Sequence, residues 1–356
     1  MSKIAPGGVI GILGGGQLGR MLSLAAARMG LDVVIFNPKI DSCAARVSAD
    51  EIIAEYDDVD ALKEFAQKCD VVTFEFENIP AASLDVIEAA GTPVYPRSNA
   101  LGCSQDRLKE KEFLNSIDIN PAPFARIDGP EDILPALEKL GGKGVLKARR
   151  EGYDGKGQAR LDLSSDPIAA WEKIGKVPAV LEAFISFERE ISVLVARSRD
   201  GQIALYDTPE NDHAGGILKS STLPANVSEQ TKEVAGDLGR KLAQSLDYVG
   251  VLALELFVLK DGSLLANEFA PRVHNTGHWT EDACLLGQFE QHIRAVCGWP
   301  LGPTQRFVDI RMDNLLGDSD IALWETRAKD GEAPRIYAKR GGGEGRKLGH
   351  SNKVWR

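Results

Sequence analysis

The sequence predicts an α/β protein with a doubly wound N-terminal domain on a parallel sheet, followed by a longer α+β region. Three observations carry that expectation. Short β-type runs alternate with helical stretches through the first hundred residues, and a glycine-rich turn joins the first run to the first helix. After Pro96 the pattern changes to longer strands, amphipathic helices and a hairpin.

In chain order, residues 9–13 read as a strand, 17–29 as a helix and 32–36 as a second strand ending at Asn37-Pro38. Residues 71–74 make a third strand. A charged helix over 105–116 is followed by Asn120-Pro-Ala-Pro123, which reads as a hinge. Residues 144–147 lead into the glycine-dense stretch GYDGKGQ; 180–185 and 191–196 are strand-like, and 229–246 is an amphipathic helix. A break at Pro300–Pro303 precedes a glycine-rich basic tail, GGGEGRKLGH.

Charge and composition narrow the function. With 42 Lys and Arg against 52 Asp and Glu, the net charge is −10, which argues against non-specific binding to nucleic acid or anionic membranes. The apolar run from Val251 to Leu259 is interrupted by Glu255, and no run approaches the ~18 residues of a membrane span. Glycines break any signal-peptide core near the N-terminus. Five cysteines, with no CxxC pair, read as reduced thiols in a cytoplasmic protein.

Gly14-Gly-Gly-Gln-Leu-Gly19 fits G-x-G-x-x-G between a strand and a helix, a place where backbone N–H groups receive phosphate. A dinucleotide site also wants an acidic residue ~20 positions on, and here the second strand ends at Asn37. Tight strand–helix packing is the alternative. The strongest signal lies further on. Asp261-Gly262 between two apolar runs predicts a two-residue turn that sets Glu255 directly opposite Glu268. Like charges so placed repel unless a cation sits between them, and hard oxygen ligands suit Mg²⁺. A main-chain bend would bring Asn267 to the same ions; a solvent-facing pair, or a salt bridge to Lys147 or Arg272, is the alternative.

Lys147 ends a strand before a basic glycine loop; Glu182-Ala-Phe-Ile185 ends another, and Glu190 lies eight residues after Glu182. Taken in order, these features resemble the ATP-grasp fold. More narrowly, GILGGGQLGRM, TFEFEN, QDRLKEK, LKARREGYDGKGQ, ENDHAGGIL, NEFAPRVHNTGHWT and GRKLGH together resemble the bacterial 5-(carboxyamino)imidazole ribonucleotide synthetases, from Gly11 to about His350.

The resemblance implies an ATP-grasp fold with a Rossmann-like domain over 1–103, an ATP-grasp domain over 104–300 with a mobile lid at about 118–185, and a small β-rich domain over 301–356. It implies ATP-dependent carboxylation of 5-aminoimidazole ribonucleotide with bicarbonate, in purine synthesis. ATP would meet Arg107, Lys147, Glu182, Ala183, Phe184, Ile185, Glu190, His213 and Asn267, with Gly152, Tyr153, Asp154, Gly155, Lys156, Gly157 and Gln158 closing over it. Glu255 and Glu268 would hold two Mg²⁺ ions, for which Mn²⁺ can substitute. The nucleotide substrate would lie near Gln17, Leu18, Glu75, Tyr153, Asp154, Lys156, Arg272, His274 and Asn275, its phosphate held by Lys339 and Arg346. Arg272, His274 and Lys347 would serve catalysis. A cytoplasmic homodimer is implied, its product passing to a separate mutase.

His274 and His278 lie four apart, but without HExxH and with Gly277 between them they do not read as a zinc site. His292 reads as structural. The tail departs from the family's pattern at Arg335 and Ala338, either side of Tyr337, and over residues 341–344.

Overall fold

The computed structural model describes residues 3–150, 152, 157–341, 343 and 345–355. Its N-terminal sheet holds β1 (Val9–Leu13), β2 (Asp32–Phe36), β3 (Asp50–Ile52) and β4 (Val71–Phe74), all parallel, in the order β3-β2-β1-β4. Ile10, Ile12, Ile35, Phe36, Val71 and Phe74 are wholly buried, as expected of parallel strands covered on both faces. The β3 strand was not legible, because Asp-Glu-Ile carries no apolar run. The helix Gln17–Arg28 makes the first crossover; Val59–Lys68 makes another, its start capped by the Asp58 carboxylate.

A second sheet is formed by β5 (Phe124–Ile127), β6 (Lys143–Ala148), β7 (Gln158–Asp162) and β8 (Ala179–Ala183), antiparallel in the order β5-β8-β6-β7. It has its own small core around Ile127, Leu137, Leu146 and Leu181.

The third sheet is the largest. It comprises β9 (Arg189–Arg197), β10 (Ile203–Leu205), β11 (Glu210–Ala214), β12 (Ile217–Leu223), β13 (Gly250–Val258), β14 (Leu264–Ala270), β15 (Asp309–Leu316), β16 (Ala333–Ile336) and β17 (Lys347–Trp355). Their order is β14-β13-β9-β11-β12-β15-β17-β16, with β10 beside β9. The last fifty residues therefore add strands to this sheet through the β12–β15 pairing. The proline-rich hinge runs along β14: Ala266 N–H donates to the Asn120 carbonyl (2.8 Å) and Ala122 N–H to the Ala266 carbonyl (3.0 Å).

The β13–β14 hairpin corrects the expected turn. Leu259 N–H donates to the Ser263 carbonyl and Gly262 N–H to the Leu259 carbonyl, both at 2.9 Å. Three residues therefore form the loop, with Gly262 left-handed at φ +81°. An extra loop residue alone would set Glu255 against Asn267. A β-bulge absorbs it: Leu256 pairs Ala266 on one side, Leu254 pairs Phe269 on the other, and Glu255 faces both Asn267 and Glu268.

Candidate active site

A cleft of about 510 Å³ opens between the second and third sheets. The helix Arg107–Ser116 forms part of its wall, and its position is set at its start. Asp106 caps the helix by accepting from Leu108 and Lys109 N–H, and the same carboxylate takes a fork of two bonds from Arg149 at the end of β6, at 2.9 and 2.7 Å. From that anchor Arg107 reaches Glu268 at 2.8 Å. One turn on, Glu110 accepts from Phe269 N–H at 2.6 Å.

Glu255, Asn267 and Glu268 converge as oxygen donors. Asn267 Nδ2 donates to Glu255 Oε2 at 3.4 Å, while Asn267 Oδ1 is buried with no partner among the described residues. Burial, and then the charge of Glu268, push the Glu255 carboxyl up from its ordinary range. Burial also acts on Glu268, but Arg107 and then Lys147 outweigh it and hold that carboxyl down. One half-compensated carboxylate, one ionised carboxylate and an orphaned amide oxygen fit a hard divalent cation.

Opposite them, Lys147 on β6 donates to Glu182 Oε2 on β8 at 2.9 Å. Glu190 on β9 lies 2.8 Å from His213 Nδ1 on β11. Burial disfavours a charged His213, yet Glu190 and Glu255 overcome it and raise its pKa. Phe187 stacks on Phe257 with centroids 4.6 Å apart, and Phe184 is half exposed at the cleft edge.

His274 is oriented by buried hydroxyls. Ser221 Oγ donates to Asn211 Oδ1 (2.7 Å), Asn211 Nδ2 to Ser192 Oγ (3.1 Å) and Ser192 Oγ to Thr276 Oγ1 (2.9 Å). Thr276 Oγ1 lies 2.9 Å from His274 Nδ1. A chain of hydroxyls and one amide can run in either direction, but Thr276 backbone N–H also points at Nδ1, at 3.4 Å, and a backbone donor cannot reverse. Nδ1 is therefore the acceptor and Nε2 carries the proton, facing Glu255 Oε1 at 3.5 Å. Burial first, and then Arg272 and Lys347, keep this imidazole neutral. Gln288, fully buried, holds the same residue's backbone by accepting from its N–H (2.8 Å) and donating to its carbonyl (2.7 Å).

Arg272 pairs with Glu77 at 3.1 Å. Asn275, whose side-chain oxygen and nitrogen are buried without a partner among the described residues, lines the cleft with Lys347.

The glycine loop differs from the simple phosphate site. Glu75 Oε1 accepts from Gly16 N–H at 2.7 Å and its Oε2 from Gly19 N–H at 3.4 Å. An internal carboxylate thus takes the helix-start donors that a phosphate would use. The Leu18 side chain is buried in the core, so any contact it offers comes from its backbone. The tail reaches this region: Arg340 pairs with Asp41 at 2.6 Å, Arg46 donates to the Ala338 carbonyl at 3.0 Å, and Lys339 donates to the Lys347 carbonyl at 2.9 Å.

The cleft thus collects Arg107, Lys147, Gly152, Gly157, Gln158, Glu182, Ala183, Phe184, Ile185, Glu190, His213, Glu255, Asn267, Glu268, Arg272, His274, Asn275 and Lys347. Gln17, Leu18, Glu75, Lys339 and Arg346 are not in its lining and gather around the glycine loop and tail. Tyr153, Asp154, Gly155 and Lys156 lie outside the described residues. Sequence reasoning missed Glu110, Lys111, Gln288 and the Asn211–Ser192–Thr276 chain. The contacts that place them, Gln288 on His274, Ser192 on Thr276 and Glu110 on Phe269, span 14, 84 and 159 positions, and no local pattern signals them.

Two flanking sheets closing a cleft over a lysine, a carboxylate pair and a neighbouring asparagine define an ATP-grasp enzyme. The ATP-grasp domain family matches residues 112–289, and the ribonucleotide synthetase preATP-grasp domain family matches residues 8–105. An N5-carboxyaminoimidazole ribonucleotide synthase of Brucella melitensis is 51% identical over 99% of this chain and 98% of its own. A solved ADP complex of an N5-carboxyaminoimidazole ribonucleotide synthetase superposes with a TM-score of 0.95 at 38% identity, over 99% of this chain and 94% of the other. The Aspergillus clavatus enzyme, solved with ADP and 5-aminoimidazole ribonucleotide, gives 0.92 at 29% identity, over 98% and 94%. The chain belongs to the N5-carboxyaminoimidazole ribonucleotide synthase family, ATP-dependent ligases of purine biosynthesis.

Proposed function

We propose that this chain joins bicarbonate to the exocyclic amine of 5-aminoimidazole ribonucleotide while ATP becomes ADP and phosphate. The observation that carries the reading is the meeting, in one cleft, of Arg107 and Lys147 with the oxygen donors Glu255, Asn267 and Glu268 and the polar group Arg272, His274 and Asn275.

In this reading Lys147 and Arg107 receive ATP phosphates. The β8 edge and the following connector, Glu182, Ala183, Phe184 and Ile185, frame adenine, with Glu190 and His213 toward the ribose. Gly152 and Gly157, with Gln158 at the start of β7, would lie over the phosphates and help exclude water. ATP-grasp enzymes use ATP and Mg²⁺; here Glu255 and Glu268, with Asn267 beside them, would hold two ions, and Mn²⁺ would serve in their place. Bound there, Mg²⁺ supplies charge neutralisation at the transferring phosphoryl group.

Bicarbonate would sit against Arg272, His274 and Asn275, with Lys347 adding positive charge. Its oxygen attacks the γ-phosphorus in line, ADP leaves, and carboxyphosphate forms. The substrate amine then attacks the carboxyl carbon, phosphate departs with the bonding electrons, and the amine gives up its proton. Arg272 and the His274 Nε2–H stabilise the negative charge that develops on oxygen. Gln17, the Leu18 backbone and Glu75 would position the substrate nucleotide, with Lys339 and Arg346 on its phosphate. The divisions 1–103, 104–300 and 301–356, with a lid over about 118–185, serve as a reading of the domains. We place the protein in the cytoplasm as a homodimer that hands its product to a separate mutase; no described helix is long and apolar enough to cross a membrane.

The test is ADP formation from Mg·ATP and bicarbonate, with and without aminoimidazole ribonucleotide. A strong rise with the nucleotide, together with labelled bicarbonate entering an acid-labile product, is expected. Turnover indifferent to the nucleotide would reject the substrate.

A further inference from the structure

Lys111 is a fully buried lysine, with 1% of its side chain exposed, that lines no part of the cleft. Its ammonium lies 3.2 Å from Glu182 Oε1 and donates to the Asn267 carbonyl at 3.1 Å. The other oxygen of Glu182 accepts from Lys147 at 2.9 Å. One buried carboxylate is therefore shared by two ammonium groups, only one of which faces the cleft.

The charge count has a consequence. A buried carboxylate with a single lysine partner forms a closed pair, and drawing that lysine away leaves an uncompensated buried charge, which is costly. With Lys111 as a permanent second partner, Glu182 stays compensated when Lys147 moves. We propose that Lys111 is a positioning residue: by neutralising Glu182 from the buried side, it frees Lys147 to bind nucleotide phosphate. The inference rests on the reading of Lys147 as a phosphate ligand. The site is built for permanence on Lys111's side, because the same helix face also grips the bulge through Arg107 on Glu268 and Glu110 on Phe269 N–H. Glu182 is held ionised, at a pKa of about 2: burial works against its charge, and Lys147 followed by Lys111 outweighs it.

The test is Mg·ADP binding, measured by calorimetry for the whole chain and for K111M, E182Q and K111M/E182Q, with adenosine as a phosphate-free comparison. K111M should weaken Mg·ADP by about 10–100-fold, the scale of one charge-assisted hydrogen bond, and change adenosine binding by less than about twofold. Lys111→Arg should retain the affinity. Because Glu182 also borders the nucleotide, E182Q alone is the reference: adding K111M to it should cost less than about twofold in Mg·ADP affinity, since a neutral residue 182 no longer captures Lys147. A lysine that merely supports the fold predicts the opposite, with the two substitutions adding their damage. Wild-type affinity in K111M, equal losses for ADP and adenosine, or a full K111M loss on the E182Q background would overturn the proposal. Lys111→Gln, which keeps a donor for the Asn267 carbonyl, repeats the test if the methionine variant does not fold. Failure of the unmodified chain to bind Mg·ADP at all would instead bring down the nucleotide-site reading, and this inference with it.

Discussion

At the scale of single residues, the site depends on groups held in one protonation state by neighbours outside the cleft. Replacing Glu268 with Gln removes the ionised member of the carboxylate pair and leaves Arg107 without its charged partner. Turnover should fall by at least about 10²–10³-fold, the range for losing one preorganised electrostatic contact, while the circular dichroism spectrum stays that of the parent. Wild-type turnover in that variant would sink the cation assignment. For His274 the relevant group is the Thr276 hydroxyl. Thr276→Val keeps the shape but leaves Nδ1 held only by the long 3.4 Å contact from backbone N–H, with Nε2 still facing Glu255. We expect kcat to drop on the order of 10–100-fold, the usual effect of removing a partner that orients a functional histidine, with KM for ATP little changed. Nitrogen chemical shifts of the ring would report the Nε2–H tautomer in both proteins, because the Thr276 backbone N–H remains, so the loss falls on the orientation of the ring.

At the scale of elements, the hairpin shows how far periodicity carries and where it stops. Alternation and the Asp261-Gly262 signal were enough to bring Glu255 and Glu268 to one face. That signal serves two loop lengths, because a glycine with positive φ closes both, and nothing local distinguishes them. The second irregularity, the bulge opposite Glu255, compensates the first and adds Asn267 to the cluster, so the carboxylate pairing was legible for a reason that was incomplete. The glycine loop tells the converse story. G-x-G-x-x-G announced an anion at a helix start, and the anion found there is Glu75, 59 positions from Gly16. Burial raises its pKa, and the Gly16 and Gly19 N–H donors, followed by Arg272 and then Lys339, partly offset that rise. Glu75→Gln keeps an acceptor for Gly16 N–H and deletes the charge. KM for aminoimidazole ribonucleotide should rise about tenfold, as for loss of one charge-assisted hydrogen bond, while Mg·ADP affinity stays as in the parent. Equal loss of both would show that the element serves the fold alone.

At the scale of the whole molecule, the domains are joined through buried polar groups, and this sets how the protein responds to acid. His292, on the helix Gln288–Cys297, accepts from Val251 N–H at 3.0 Å through Nδ1, so its Nε2 carries the proton and donates to Thr73 on β4 at 2.8 Å. One neutral imidazole thus pins the N-terminal sheet to β13. His350 Nδ1 shares a hydrogen bond with the Tyr337 hydroxyl at 2.7 Å, and the His278 ring lies tilted beside it with centroids 4.7 Å apart. Burial pushes His292 and His350 down to about 3, and keeps His278 well below its usual range. Above pH 6.5 these rings are neutral whether the chain is folded or not, and contribute no pH dependence. Between 6.5 and about 3 the unfolded chain takes up protons that the folded one refuses, so stability falls as pH falls. Each ring contributes a slope of up to about 1.4 kcal/mol per pH unit. The contribution of these rings therefore falls away from near pH 6.5 downward, whereas buried carboxyls whose pKa is raised by burial, Glu255, Glu110 and Glu281, take up protons in the folded chain first and act in the opposite sense. Thermal melts of the parent and of a His292 variant from pH 7.5 to 4.5 separate the histidine contribution by difference. His292→Leu should lower stability at pH 7.5 by about 1–3 kcal/mol for each of the two partners it orphans. The same variant should flatten the curve between pH 6.5 and 4.5, because one refused proton is gone. An unchanged slope would mean that the domains are not pinned by a neutral His292.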